Sequence, residues 1–210
     1  MGLNGAGKSL LTRLILGLDA PSAGRIEVLG QDLARLGGEG LRRLRRQMGA
    51  VLQRGSLVED LTVLENLLLP LRDTPMSRDQ MARAARLTLT QLELDGLENH
   101  LPRSLSLGLR RRVELARALI HKPALLVWDG LGDGLDPATL RETLAVLRAQ
   151  RGVRELALLA TDNRPELYAE AEDRVAVLDR GHLLFDGTHA ELQLAAHERL
   201  ELRYVLEGRP

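Results

Sequence analysis

Within its first nine residues the chain reads Met1-Gly2-Leu3-Asn4-Gly5-Ala6-Gly7-Lys8-Ser9, and residues 2–9 satisfy G-x-x-x-x-G-K-[ST]. This pattern constrains a fold tightly because its chemistry lies in the backbone. Glycines let successive amide N–H groups turn inward around phosphates, and the helix that follows aims its positive end at them. The run Leu10-Leu11-Thr12-Arg13-Leu14-Ile15-Leu16 supplies that helix. Lys8 is then placed to reach the β- and γ-phosphates of a nucleoside triphosphate, and the Ser9 hydroxyl to ligate Mg²⁺. Gly2, Leu3, Asn4, Gly5, Ala6 and Gly7, with Lys8, Ser9 and Leu10, are the expected nucleotide cradle. Such a loop ordinarily follows a buried strand, yet only Met1 stands before it. The expectation is therefore a start whose N-terminal strands are missing, with Met1 in the place of the last strand residue.

The rest of the chain alternates between strand and helix patterns. Arg25-Ile26-Glu27-Val28-Leu29 alternates as a short strand before a Gly30-Gln31-Asp32 turn, and an arginine-rich helical segment covers 41–46. Residues 48–52 read as a buried strand ending at Gln53. A helix is predicted over 61–71, with Thr62 as N-cap and Glu65 completing a capping box. Further helices are predicted over 77–92, 105–120 and 137–149. Apolar strands at 124–128 and 156–160 flank the last of these, and 174–178 is a final strand before an Arg180-Gly181-His182 turn. Strands alternating with helices imply an α/β fold with a parallel-dominated sheet and an all-helical insertion near 55–105.

Composition narrows the function classes. Lys+Arg and Asp+Glu are balanced at 29 each, which gives no reason to expect a nucleic-acid partner. The absence of cysteine rules out disulfides, thiolate zinc sites and cysteine nucleophiles within this chain. No apolar run approaches the roughly 20 residues that a membrane-spanning helix needs.

In this order and spacing the parts resemble the ATPases of ABC transporters. They are a P-loop, a strand ending in Gln53, a helical insert, Leu105-Ser106-Leu107-Gly108 before a helix, and Ala124-Leu125-Leu126-Val127-Trp128 closing in Asp129. The resemblance covers the whole chain. It implies a RecA-like P-loop core at 1–54 and 106–190, a helical subdomain at 55–105 and a C-terminal helix at 191–210. It also implies ATP and Mg²⁺ as ligands. Gln53 would be the residue that touches Mg²⁺ and senses a membrane partner, and Asp129 the aspartate that holds Mg²⁺ alongside Ser9. Ser106 and Gly108 would belong to the signature that meets the nucleotide across a head-to-tail dimer. Gly134-Leu135-Asp136-Pro137 matches the D-loop, which makes Asp136 a further nucleotide-site residue.

The departures from the family pattern fall on hydrolysis. Gly130 occupies the position of the glutamate that polarises the attacking water, and Asp162 that of the switch histidine. Leu107 replaces a signature glycine, and Leu10 a hydroxyl residue. Losing a general base costs about 10²- to 10⁴-fold in rate, so ATP binding with weak hydrolysis is expected. Asp133 and Asp162 are the nearby carboxylates, but neither is expected to substitute; at position 162 a carboxylate is expected to face the nucleotide and repel it unless protonated or metal-bound.

As a family member the chain is expected to dock on an integral-membrane permease and pair with a second nucleotide-binding subunit. Its place would be cytoplasmic, on the inner face of the cell membrane. Residues 61–72 look importer-type. Together with the ending Leu202-Arg203-Tyr204-Val205-Leu206-Glu207-Gly208 they are similar to the ATPases of Mla-type phospholipid trafficking. The alternative function is a catalytically inactive, nucleotide-binding scaffold or regulatory subunit.

Overall fold

A computed structural model describes residues 1–53, 55–153, 155–164 and 174–207, the side chains of 150–153 and 207 excepted. Helix α1 (Lys8–Ile15) follows the glycine-rich loop. A hairpin of β1 (Glu27–Val28) and β2 (Gln31–Asp32) comes next. Its two-residue turn has positive φ at both Leu29 and Gly30, the geometry that matches strand twist in a tight hairpin. The turn therefore lies at Leu29-Gly30, and Gln31 and Asp32, expected in the turn, form the returning strand.

Helix α2 (Gly38–Arg45) leads into β3 (Met48–Val51). Between β3 and β4 (Leu125–Trp128) the described residues are helical or irregular, with α3 (Val63–Leu68), α4 (Arg78–Gln91) and α5 (Leu107–Leu119). The Thr62 capping box forms: Glu65 N–H donates to Thr62 Oγ1 and Thr62 N–H to Glu65 Oε2. Ser77 and Gln80 make a second box at the start of α4. The helix expected over 61–71 is shorter than the pattern suggested. The α-helical hydrogen bonding stops at Leu68, and Leu69–Leu71 tightens into a 3₁₀ turn at Pro70, whose ring carries no N–H to continue the ladder.

Helix α6 (Pro137–Val153) separates β4 from β5 (Ala157–Ala160), and β3, β4 and β5 pair in parallel in that order. The sequence expectation of a parallel-dominated α/β sheet holds. Strand β6 (Arg174–Asp179) pairs antiparallel with β7 (His182–Thr188), so the Arg180-Gly181 turn closes a full hairpin. The C-terminal helix expected from 191 is instead two helices, α7 (His189–Glu198) and α8 (Leu200–Glu207). Arg199 takes an extended backbone between them (φ −116, ψ 109) and its guanidinium donates to the Leu184 carbonyl. Among the described residues no helix is long and apolar enough to cross a membrane.

Strands β3 and β4 bury side chains on both faces, as parallel strands do. Val127 faces a cluster with Leu16, just past α1, and with Val28, Leu44 and Met48 from β1, α2 and β3. Leu126 and Trp128 face the opposite cluster with Val63, Leu67, Leu89, Val113 and Leu115, so the helical insertion shares one continuous core with the sheet. A third cluster joins Val175 and Val177 to Leu192, Leu202 and Val205, with Met1 and Leu3 packed against it.

Helix α5 lies directly on β3 at Gly49, where a Cβ would sit 2.3 Å from the Ala118 carbonyl oxygen. Substitution Gly49→Ala should therefore lower stability by roughly 1–3 kcal/mol through overpacking. Chemical unfolding would check this, and an unchanged midpoint would mean that α5 is not seated there.

Candidate functional site

The glycine-rich loop is shaped by its seat on the β6–β7 hairpin. Met1 N donates to the Ala176 carbonyl at 2.5 Å and Met1 O accepts from Leu178 N–H at 2.8 Å, a parallel-strand pattern beside β6. At Gly2 (φ +153) a Cβ would lie 2.2 Å from the Leu178 carbonyl oxygen, so backbone meets backbone there. Further on, Gly181 N–H donates to the Ala6 carbonyl at 3.0 Å. Gly5 and Gly7 take left-handed φ values of 82 and 101, which turns the loop into the start of α1 without a side-chain cap. The first-turn N–H groups of α1 are left for a ligand.

Lys8 Nζ donates to the Gly2 and Leu3 carbonyls at 2.6 and 3.0 Å. Burial lowers its pKa, and the charges of Asp129, Asp133 and Asp162 oppose that fall. The loop opens on a cavity of about 250 Å³ lined by residues 4–10 together with Gln53, Asp129, Gly130, Asp133, Thr161 and Asn163. The sequence-predicted residues Asn4, Gly5, Ala6, Gly7, Lys8, Ser9, Leu10, Gln53 and Asp129 thus meet in one place. Gly2 and Leu3 contribute through the carbonyls that hold Lys8.

The segments that follow the three parallel strands deliver polar groups to this cavity. Asp129, just past β4, is 6 % exposed, and its Oδ1 accepts from Thr161 Oγ1 at 2.6 Å. The same hydroxyl accepts from Gly130 N–H at 3.0 Å. Gln53, past β3, donates from Nε2 to Asp133 Oδ2 at 2.7 Å, which leaves its Oε1 as an acceptor. The turn carrying Gln53 is strapped to α5 by a buried ion pair. Arg111 donates to the Leu52 and Gln53 carbonyls and to Glu114, and Glu114 Oε1 accepts from Ser56 N–H.

These donors fit Mg²⁺ bound alongside phosphates. Among the described residues no group of three His, Cys, Asp or Glu side chains could hold a metal alone. Mg²⁺ is typically held by one or two carboxylates plus substrate phosphates and waters. Ser9, Gln53 and Asp129 supply a hydroxyl, an amide oxygen and one carboxylate at the same cavity.

One expectation changes: Asp162 does not line this cavity. It is 1 % exposed, and its carboxylate accepts from the backbone N–H groups of Gly132 (2.6 Å), Asn163 (2.7 Å) and Arg164 (2.9 Å), with the Arg164 guanidinium 3.4 Å away. Backbone donors hold the carboxylate inward, and Asn163 takes the cavity wall, its Nδ2 bonded to Asn4 Oδ1 at 3.3 Å.

Ser106, Gly108 and Asp136 lie outside this cavity. Ser106 caps α5 by accepting from Leu109 N–H, and a Cβ at Gly108 would lie 3.1 Å from Thr139 Cγ2. Asp136 caps α6, accepting from Ala138 N–H, Thr139 N–H and Thr139 Oγ1. The Thr139 hydroxyl leads the lowering of its pKa.

Leu107 is 51 % exposed, and its Cδ2 would lie 2.5 Å from a Cβ on Gly134. Thr161 and Asn163 lacked a functional reading in the sequence. The signal available was their place just beyond an apolar strand.

The family model described as "ABC transporter" matches residues 1–130, more than half the chain. The chain is 36% identical over 99% of its length to a methionine import ATP-binding protein of Caulobacter vibrioides. It is 38% identical over 89% of its length to the one from Mesorhizobium japonicum. It spans only 63% and 51% of those relatives' own lengths. A dimeric ATP-binding cassette in a post-hydrolysis state with ADP and phosphate superposes with a TM-score of 0.80 at 28% identity. That match covers 90% of this chain and 83% of the other.

Because three backbone donors converge on Asp162, Asp162→His should cost roughly 1–3 kcal/mol by leaving buried N–H groups unpaired. Thermal or chemical unfolding would measure it. A variant as stable as the unmodified chain would show that the carboxylate does not make those bonds in solution.

Proposed function

The chain belongs to the ABC transporter family, and on that premise we propose that it is an ATP-binding subunit of an importer-type transporter. It binds Mg·ATP at the P-loop, docks on a membrane permease at the inner face of the membrane and works beside a second cassette. The observation that carries this reading is the single cavity in which the α1 N-terminus, Lys8, Ser9, Gln53 and Asp129 converge. Together they offer backbone N–H groups and an ammonium to phosphate oxygens, and a hydroxyl, an amide oxygen and a carboxylate to Mg²⁺.

Lys8 would leave the Gly2 and Leu3 carbonyls for the β- and γ-phosphates. This exchange needs only a swing of its side chain, since those carbonyls belong to the loop that would wrap the nucleotide. Bound Mg²⁺ would neutralise phosphate charge and draw electron density from the γ-phosphoryl group. Asp129, fixed by the Thr161 hydroxyl, would keep its carboxylate oriented without reorganisation.

Phospholipid traffic, expected from local matches, has no support in the relatives named above, which are called methionine importers. A small amino-acid cargo of that class is the better reading for the transporter that this subunit serves. A second reading, a nucleotide-binding scaffold without turnover, is favoured by two observations. Position 130 carries no side chain, and Asp162 is engaged by backbone.

The test is Mg·ATP affinity, read with a fluorescent ATP analogue, in the unmodified chain and in Lys8→Ala. A charge-assisted hydrogen bond contributes about 1.5–3 kcal/mol, so binding should weaken by roughly 10- to 100-fold. Equal affinity in both proteins would remove the P-loop as the nucleotide site.

A further inference from the structure

The space that a side chain at position 130 would enter already holds a carboxylate. Gly130 has φ +73, and a Cβ built on it would lie 2.4 Å from Asp133 Oδ2 and 2.9 Å from Asp133 Cγ. Asp133 arrives there because the chain doubles back: Asp133 N–H donates to the Gly130 carbonyl at 3.1 Å, closing a tight turn over residues 130–133. The two positions exclude each other. With a side chain at 130 the Asp133 carboxylate would have to leave; with glycine there, Asp133 can stand at the cavity wall.

Its surroundings are those of the reacting phosphate rather than of bulk surface. Asp133 lines the same cavity as Lys8, Ser9 and Asp129, whereas Asp162 does not. Gln53 Nε2 donates to Asp133 Oδ2 at 2.7 Å, a bond that fixes the orientation of the carboxylate. Among the described residues Gln53 is its only side-chain hydrogen-bond partner. That leaves Oδ1 without a side-chain partner and able to accept from a water.

We propose that Asp133 is the catalytic carboxylate of this cassette, relocated by three residues into the volume that a residue-130 side chain would fill. The proposal rests on reading the cavity as an ATP site. In the step it serves, the oxygen of a water bonds to the γ-phosphorus as the bond from that phosphorus to the β,γ-bridging oxygen breaks. The electron pair leaves with ADP. The water proton passes to the Asp133 carboxylate, and the second product is inorganic phosphate. Replacing glutamate by an aspartate further along the turn keeps the charge while changing the backbone origin of the arm. Restoring glutamate at 130 alone would place two carboxylates in one space.

The experiment follows turnover, Mg·ATP affinity and thermal unfolding in the full chain, in Asp133→Asn and in the paired Gly130→Glu/Asp133→Ser. Asn keeps an acceptor for Gln53, so Asp133→Asn should retain affinity within about threefold while turnover falls by roughly 10²-fold. The paired variant should recover turnover by returning a carboxylate through position 130. Asp133→Asn turning over like the unmodified chain would overturn the proposal and leave the ATP site standing. So would an unmodified chain that binds Mg·ATP but shows no turnover above background, or a folded paired variant that stays inactive. An unmodified chain that fails to bind Mg·ATP would overturn the ATP-site reading, and the proposal with it.

Discussion

The parallel register of β3, β4 and β5 is the constraint on which the site depends. Val51 lies beside Trp128, and Trp128 beside Ala160, so all three strands end on one edge. Parallel pairing points every C-terminal end the same way, and ligands of open α/β sheets bind at that edge. Gln53, Asp129 and Thr161 reach the P-loop for this reason alone, although they are spread over more than a hundred residues of sequence. Hydrogen bonds that continue past the strands lock the edge. Asp129 N–H donates to the Val51 carbonyl, Thr161 N–H to Trp128, and Leu131 N–H to Thr161.

Against this edge the P-loop is held from the other side by β6 and the Gly181 turn. The charges of three aspartates act on a single lysine, and each carboxylate has a different partner. Asp129 is tied to the Thr161 hydroxyl, Asp133 to the Gln53 amide and Asp162 to a set of backbone donors. Only the last is wholly committed to structure. The distinction comes from donors: a carboxylate that accepts several backbone N–H bonds is fixed in place and has few lone pairs left for chemistry. The buried Arg111–Glu114 pair extends the same logic to the helical insertion, because it joins the turn after β3 to α5 through carbonyl and amide groups.

Much of this was legible in the residues themselves. The P-loop needs a fixed pattern of glycines and a lysine, and its local geometry follows from that pattern. The Thr62 and Glu65 box likewise uses residues three apart, and β4 and β5 are apolar runs of strand length. Where local signals were weak, the reading slipped. Pro70 cut a helix short, the hairpin turn moved to Leu29-Gly30, and Arg199 split the C-terminal helix in two.

By itself the sequence determined the α/β class, the parallel sheet, the phosphate-binding loop and the identities at positions 130 and 162. Those features depend on chemistry within a few neighbouring residues, which a linear pattern records. Tertiary structure alone decided which way Asp162 turns and what fills the space beside Gly130. Asp162 is set by an N–H at Gly132, thirty positions before it. Asp133 is fixed by an amide at Gln53, eighty positions before it. Side-chain direction at such sites depends on donors that only the packed sheet edge brings together, and no spacing along the chain encodes them.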